Sequence, residues 1–596
     1  MPQKKIVPYQ DTWLYRIRHS CAHIMAQAVL EMFPEGKLGI GPPIEDGFYY
    51  DFDLPRPLKP EDLERIEARM REIIAGNHPF IRREVTPEEA RALFKDQPYK
   101  LELIEDILQR GTDEYGNPLP PGQRPVLTTY RHDTFEDLCR GPHVEHTGQI
   151  HPGAFKLLHV AGAYWRGDER RPMLQRIYGT AWETPEQLEQ YLWRLEEAKK
   201  RDHRRLGREL DLFSFHEIAP GAPFWHPKGM VIFRELERLW REEHDRRGYQ
   251  EISTPILVHR KLWEQSGHWE HYKENMFLLE VEGQEFSLKP MNCPESTIIY
   301  RSRLRSYRDL PLRLNEIGRL HRFERSGTLH GMLRVRQITM DDAHIYCRPD
   351  QILEEIDGVL DLIYSFYRIF DFQPEFFLST KPPKAMGDPK LWEIAEEALR
   401  QALERRGIEY GLKEGEGAFY GPKIDVQVKD AIGRDWQLAT VQLDFQMPER
   451  FGLEYMDRDG APKRPVMIHR AIFGSFERFI GILTEHYAGA FPVWLAPVQA
   501  VVIPITDRHV SYAHEIGVRL REAGLRVEVD DRSERMQAKI RDAQLQKVPY
   551  MLIVGDREQA AGTVAVRLRT GEDLGAMSLE AFLNRALEAI RARRGL

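Results

Sequence analysis

Residues 321–346 read HRFERSGTLHGMLRVRQITMDDAHIY. Arg322, Arg325, Arg334 and Arg336 crowd around Glu324, Asp341, Asp342, His330 and His344, with Gly327 and Gly331 between them. Arginine forks grip phosphate oxygens two at a time, and a glycine-containing turn folds over a ligand without steric conflict. The competing reading is a salt-bridged surface hairpin. The alternation in LRVRQITM favours the polyphosphate grip, because it predicts a strand with Arg334 and Arg336 on one face.

Working outward, strand-like runs recur from 211 to about 490: FSLKP, PLRLNEIG, RVRQITM, KIDVQVKD and WQLATVQLDF. Helical runs such as MVIFRELERLWREEHDRRG separate them without regular βαβ alternation, which predicts an antiparallel α+β sheet. GEGAFYGPKID (415–425) and MIHRAIFGSFERFIG (467–481) belong to the same block. The latter has small residues opening a helix that carries Glu477 and Arg478, suited to an anion. No G-x4-G-K-[ST] or G-x-G-x-x-G loop occurs, which argues against P-loop and Rossmann enzymes.

From about 498 the pattern changes to alternating strands and helices, VQAVVIPI through TVAVRLR, predicting a small α/β domain with a parallel core. Upstream, TPEQLEQYLWRLEEAKKRDHRRLGREL (184–210) reads as one long connecting helix, opened by a capping Thr184 and Pro185. Its basic second half fits a solvated face or RNA contact equally. Residues 1–181 read as short helices and strands broken by proline-rich turns, DLPRPLKP around 54–60 and NPLPPGQRP at 117–125.

A chain of 596 residues predicts about three or four domains. With a net charge of −8 and 30% charged residues, any nucleic-acid contact must be local. The four cysteines, Cys21, Cys139, Cys293 and Cys347, are too scattered for a disulfide framework and fit a reducing, cytoplasmic setting. MPQKKIVPYQ lacks the apolar core of a signal peptide. The run 491–505 is too short and proline-rich to span a bilayer and reads as a linker into a buried strand.

A second cluster is His19-Ser-Cys-Ala-His23, joined by Cys139-Arg-Gly-Pro-His143. On a helix His19 and His23 share one face, and H-x3-H with C-x3-H reads as a four-ligand zinc set. Asp137 and Lys100 would supply charge nearby.

These motifs resemble a known family. HRFE (321–324) resembles motif 2 of class II aminoacyl-tRNA synthetases, GSFERFIG (474–481) motif 3, and the helix before YQEISTPIL, ending at Pro255, motif 1. MNCPES, RVRQITMDDAHIY, GEGAFYGPKID, TVQLDF and MIHRAIFGSFERFIG are similar to the core of the bacterial threonyl-tRNA synthetase family. HSCAH, DLCRGPH and AGAYWRGD are similar to its editing domain. The resemblance runs from about residue 15 to 595 and implies an α+β editing domain (1–181), a linker helix (182–210), a class II antiparallel-sheet catalytic domain (211–492) and an α/β anticodon-binding domain (493–596).

By that resemblance Cys293, His344 and His469 ligate one catalytic Zn2+, whose open positions take the amino and hydroxyl groups of L-threonine; valine, lacking the hydroxyl, is rejected. Asp342 and Tyr420 hold the same substrate. Arg322 contacts the α-phosphate of ATP, Glu324 the adenine amine, and Arg334 and Arg478 the terminal phosphates together with Mg2+. Gln437, Gln442 and Ser475 line the ribose and aminoacyl side, and His268 helps deprotonate the tRNA ribose hydroxyl. Serine, one methyl smaller, differs by only about 1–3 kcal/mol, so a hydrolytic site for seryl-tRNA is implied. His19, His23, Lys100, Asp137, Cys139 and His143 fall on its positions, without a required metal. That disagrees with the zinc reading of the same residues. Glu558 and Arg567 fall where anticodon bases of tRNA(Thr) are read. Motif 1 implies a homodimer.

The chain departs from the family pattern in four places. It starts almost directly at the editing domain, without the small domain most bacterial relatives carry first. Ile338 replaces an aromatic that stacks on adenine, Met340 replaces a glutamine, and Ser533 stands where Asn is expected. The rivals are a same-fold paralogue that no longer charges tRNA, a seryl or prolyl synthetase, and a free-standing deacylase. None of these needs the zinc trio, the motif arginines and the HSCAH/CRGPH pair together.

Overall fold

The structure is a computed structural model, and it describes every residue except 1, 2, 5, 6, 114, 116–118, 120–124 and 594–596. Most of the proline-rich turn predicted at 117–125 therefore lies outside the described residues. The chain divides into two compact units, residues 6–196 and residues 197–596 together with 1–5.

In the larger unit the predicted antiparallel sheet is present. Leu312–His321, Gln337–Cys347, Val466–Ser475, Asp435–Asp444, Lys423–Lys429 and Pro374–Ser379 lie side by side in that order, each antiparallel to the next. Parallel pairs occur only towards the sheet's margins, as between Gln250–Glu251 and Leu312–His321. Val466–Ser475 is buried along almost its whole length: Ile468, Ile472 and Phe473 pack with Trp240 of helix Pro227–Arg246 and Phe366 of helix Ile352–Ile369, while His469 and Ala471 border a cavity. Such a strand shows no polar alternation.

The C-terminal strands Val527–Val529, Ala500–Pro504 and Tyr550–Val554 are parallel, as expected, while Thr563–Leu568 and Asp573–Ser578 continue the sheet antiparallel. The run 491–505 ends in the buried strand Ala500–Pro504.

The other unit holds an antiparallel sheet built on Gly47–Asp53, Met173–Ala181 and Phe155–Tyr164, and a meander of Ile81–Glu84, Thr128–His132 and Phe135–Leu138. Its main helix, Trp13–Met32, is long rather than short, and Thr12 caps it by accepting from the Tyr15 amide.

Two local expectations are corrected. The stretch 184–210 is not one helix but two, Pro185–Arg201 and His203–Glu209. Asp202 breaks it by taking the Arg204 amide on its own carboxylate, as an N-cap does. The basic run is largely occupied locally: Lys200 pairs with Glu197, Arg205 with Glu209, and Arg201 donates to the His486 carbonyl. Second, the strand in LRVRQITM begins only at Gln337. Arg334 and Arg336 lie in the loop before it, so strand alternation does not aim them. Their guanidiniums instead meet at Glu324, Arg334 on its carboxylate at 3.0 Å and Arg336 on its carbonyl at 2.9 Å.

Candidate functional site

Strand register assembles the central site. His344 pairs with His469 on the neighbouring strand, and His469 pairs with Gln442 on the next. Asp342 sits two residues from His344 and so shares its face. Cys293 arrives from elsewhere, as the first residue of helix Cys293–Arg301. Its thiol and the two imidazoles bring ligand atoms within 4.8 Å of one another, all three residues buried. They line a cavity of about 520 Å³ together with Asp342, Tyr420, Gln437, Gln442, Arg322 and Arg478.

Burial governs the charge states here. It holds His344 far below the usual histidine range, helped by His469 and Arg470, which leaves the neutral ring a metal needs. Burial, reinforced by Glu295, Asp342 and Asp444, pushes the Cys293 thiol well above its ordinary value. A divalent cation would reverse that by stabilising the thiolate. One sulfur and two imidazole nitrogens so spaced form a donor set suited to zinc.

Neighbours orient the lining. Asn292 donates to Asp342 at 2.7 Å, Gln437 to Asp425 at 2.6 Å, and Tyr420 to Gln442. His268 is fully buried between Ser266 Oγ (2.8 Å) and Met291 Sδ (3.0 Å), with its Nε2 4.0 Å from Cys293 Sγ. Burial pushes its ring down to about 3.

A second cavity, about 420 Å³, shares Arg322, Met340, Gln437 and Arg478 with the first and adds Glu324, Arg334, Ile338, Trp436 and Ser475. Arg478 stands over Trp436, 6.0 Å from the ring centre, and its Nε is buried without a hydrogen-bond partner. A buried guanidinium N–H left open fits an anionic ligand. Ser475 caps helix Phe476–His486 by accepting from the Arg478 amide. Glu477, next to Arg478 on that helix, turns inward and accepts from Thr339 N and Oγ1, both at 2.8 Å. Burial raises its carboxyl to about 7.

Several contributors carry no signal in residue spacing. Asp341 accepts the amides of Ile472, Phe473 and Gly474, fixing the approach to Ser475. Asp444 holds His469, and Trp436 walls the second cavity. Ordinary strand alternation puts Asp341 on the buried face with Ala343 and Ile345; the register shift between Met340 and Asp342 lies in the partner strand, whose extra residues 472–474 present their amides to the Asp341 carboxylate.

The other unit gathers all six expected residues. Cys139 Sγ lies 3.3 Å from both His19 Nε2 and His143 Nε2 and accepts the Gly141 amide. His19 and His23 share helix Trp13–Met32. Asp137 takes Lys100 at 2.7 Å and the Tyr50 hydroxyl at 2.5 Å, with His23 at 3.9 Å. Burial holds His19 down at about 4, and His23 and His143 lower than usual as well, so all three rings are neutral. His19, His23, Cys139 and His143 also satisfy the spacing of a metal group, so the geometry is compatible with both readings of this cluster.

In the C-terminal domain Glu558 accepts the Gly555 amide at 3.0 Å, capping helix Asp556–Ala561, and Arg567 on strand Thr563–Leu568 lies 3.5 Å from Asp573. The Arg567 Nε is buried without a partner.

Among the described residues no helix is long and apolar enough to cross a membrane. Residues 277–487 match the family model of the tRNA synthetase class II core domain (G, H, P, S and T). Residues 499–589 match the anticodon binding domain, and 127–178 the threonyl and alanyl tRNA synthetase second additional domain. The threonine–tRNA ligase of Desulforamulus reducens is 54% identical over 576 residues, 96% of this chain and 88% of the relative. That of Caldanaerobacter subterraneus subsp. tengcongensis is 54% identical over 577 residues, 96% of this chain and 87% of the relative. Among solved structures, the RNA binding domain of threonyl-tRNA synthetase from Cryptosporidium parvum Iowa II superposes with a TM-score of 0.63 at 41% identity, covering 65% of this chain and 98% of that one. Identity at this level over nearly the whole chain shows that it belongs to the threonine–tRNA ligase family of class II aminoacyl-tRNA synthetases.

Proposed function

We propose that the chain activates L-threonine with ATP, releasing pyrophosphate, transfers the threonyl group to tRNA(Thr), and hydrolyses seryl-tRNA(Thr) at a separate site. The observation that carries this is the convergence of Cys293, His344 and His469 in a cavity that opens onto the arginines of a second, anion-suited one.

In this reading the amino acid occupies the 520 Å³ cavity. Asp342 receives its ammonium group, Tyr420 and Gln442 flank it, and Cys293, His344 and His469 hold Zn2+. Zinc, when bound, supplies open coordination positions for the amino and hydroxyl groups, and so demands a hydroxyl. ATP occupies the 420 Å³ cavity. Arg322 reaches the α-phosphate, Glu324 the adenine amine, and Arg334 and Arg478 the terminal phosphates, with Mg2+ sharing the charge. The threonine carboxylate attacks the α-phosphate. It is already a nucleophile, so positioning and charge neutralisation outweigh general-base catalysis. Gln437 and Ser475 border the ribose side. His268 is assigned to the transfer step, and single-turnover transfer by His268→Ala tests that role alone.

His19, His23, Lys100, Asp137, Cys139 and His143 form the proposed deacylation site. Neutral imidazoles beside a buried Lys100–Asp137 pair can orient a water without a metal; metal analysis of the purified protein distinguishes the alternatives, since two zinc ions per chain would reverse this choice. Glu558 and Arg567 are assigned to the anticodon, and the protein to the cytoplasm as a homodimer, which sedimentation tests.

The decisive experiment is ATP–pyrophosphate exchange with each of the twenty amino acids. Threonine-dependent exchange is expected. Exchange with another amino acid and none with threonine would overturn the reading.

A further inference from the structure

His203, the first residue of the short helix that follows Asp202, is 0% exposed and uses both ring nitrogens. Nε2 accepts the Met332 amide at 2.9 Å, so the ring proton sits on Nδ1, which donates to Glu485 at 2.6 Å. The His203 amide donates to the same Glu485 oxygen at 3.1 Å. One imidazole therefore ties the helix His203–Glu209 to the end of helix Phe476–His486 and to the loop ahead of strand Gln337–Cys347.

The seat is built for this contact. Gly331 has φ +50°, and a Cβ there would fall 2.2 Å from His203 Nε2. Gly481 faces Met332, whose Cβ would lie 2.9 Å from a side chain at that position. Two glycines thus let the loop backbone settle against the ring and the helix. Met332 is followed directly by Leu333 and Arg334, which line the 420 Å³ cavity, and the turn is closed by His330 N donating to the Arg334 carbonyl at 3.1 Å. On its other side Glu485 ion-pairs with Arg434 at 2.6 Å, and Arg434 stands over Trp436, 5.2 Å from the ring, in the same cavity wall as Arg478. Burial pushes the Glu485 carboxyl up, but the His203 hydrogen bond and Arg434 outweigh it and hold it below the usual range.

We propose that His203 is a positioning residue for the nucleotide cavity: by accepting the Met332 amide it fixes the loop that carries Arg334, while its bond to Glu485 braces the Trp436 wall. The ring touches no substrate. The inference rests on the assignment of that cavity to ATP, and every variant is compared with wild-type enzyme that shows threonine-dependent exchange. Failure of the proposed activity would therefore appear in the wild type, before any variant is read.

The two nitrogens can be tested separately. His203→Gln places an oxygen where Nε2 stood and can accept from Met332. His203→Asn places its amide near Nδ1, keeps Glu485 and leaves Met332 without an acceptor. His203→Ala keeps neither. Losing the acceptor for a buried amide is expected to raise KM for ATP about tenfold in His203→Asn and His203→Ala, with KM for threonine changed less than about twofold. Amide exchange at Met332 should accelerate in those two variants and stay slow in His203→Gln, whose KM for ATP should lie near wild type. Equal rises for ATP and threonine, or a Gln variant no better than Asn, would overturn the proposal. Should the His203 variants fail to fold, Gly331→Ala keeps the His203 and Glu485 side chains but sets a Cβ against the ring, forcing the ring and the Met332 loop apart. It should raise KM for ATP, and an unchanged value would overturn the proposal equally.

Discussion

The Nε2–H of His469 donates to the fully buried carboxylate of Asp444 at 2.8 Å, while the other Asp444 oxygen accepts the Gln446 and Met447 amides. One aspartate thereby fixes both the tautomer and the ring plane of a proposed metal ligand, leaving Nδ1 for the cavity. A carboxylate behind a ligating histidine typically contributes about 10–100-fold to metal affinity. Asp444→Asn should lower zinc affinity by that order, read by competition with a chromogenic chelator. An unchanged affinity would remove Asp444 from the site's design.

Ile338 lines the proposed nucleotide cavity against Leu320, Val335 and Met340, where relatives are expected to stack an aromatic ring on adenine. Its aliphatic surface packs but has no π face. Ile338→Phe should tighten ATP binding by about 1 kcal/mol, roughly fivefold in Kd. Calorimetric titration of ATP checks this. Weaker binding would mean that the added ring overfills the cluster.

Lys100 and Asp137 are each only 2% exposed and meet at 2.7 Å. Lys100→Met leaves a buried carboxylate without its cation, a loss of about 3–5 kcal/mol. Residues 6–196 should unfold at lower temperature and seryl-tRNA hydrolysis should disappear. Threonine-dependent exchange, which uses residues of the other unit, should persist. Calorimetry and exchange on the same preparation test both halves, and loss of exchange in a still-folded protein would contradict the separation.

Acid should act first on residues 6–196. Burial pushes His19 down to about 4 and His132 to about 3 from 6.5. The unfolded chain then binds more protons than the fold as pH drops below 6.5. Each ring contributes stability that is complete above 6.5 and is lost at about 1.4 kcal/mol per pH unit as pH falls towards its folded value. Residues 197–596 also hold acid-labile rings, His268 at about 3 and His344 well below the usual range, but there burial raises the carboxyls of Asp341 and Glu477 to about 7. Their contribution has the opposite sign, present at low pH and lost as pH rises through 7. Hydrogen exchange from pH 7 to 5 in the presence of chelator should show residues 6–196 opening first. Simultaneous opening would refute the assignment of these burial effects.

Much of the architecture was legible because it follows local chemistry. Thr184 and Gln187 make the reciprocal cap that TPEQ announces, and the helix begins at Pro185. WQLATVQLDF and KIDVQVKD are the strands their β-branched content implies. The errors arose where side chains compete with backbone. Asp202 stopped a helix that periodicity alone would have continued. Arg334 and Arg336 lie ahead of the strand, and both guanidiniums bond to Glu324.

The sequence by itself determined which chemistry is present: arginine forks for phosphate, a thiol and imidazoles for a metal, and a motif set that names the family. Only the tertiary structure decided which of these meet. Cys293, His344 and His469 are far apart along the chain and come together because antiparallel register, set by burying Ile468, Ile472 and Phe473, aligns two strands and a helix start on one cavity. The same packing buried Asp341 and Glu477 against backbone and hydroxyl donors and left Arg478 with an open N–H. Whether a charged side chain braces the fold or faces a ligand depends on its partners in space, and no spacing along the chain encodes them.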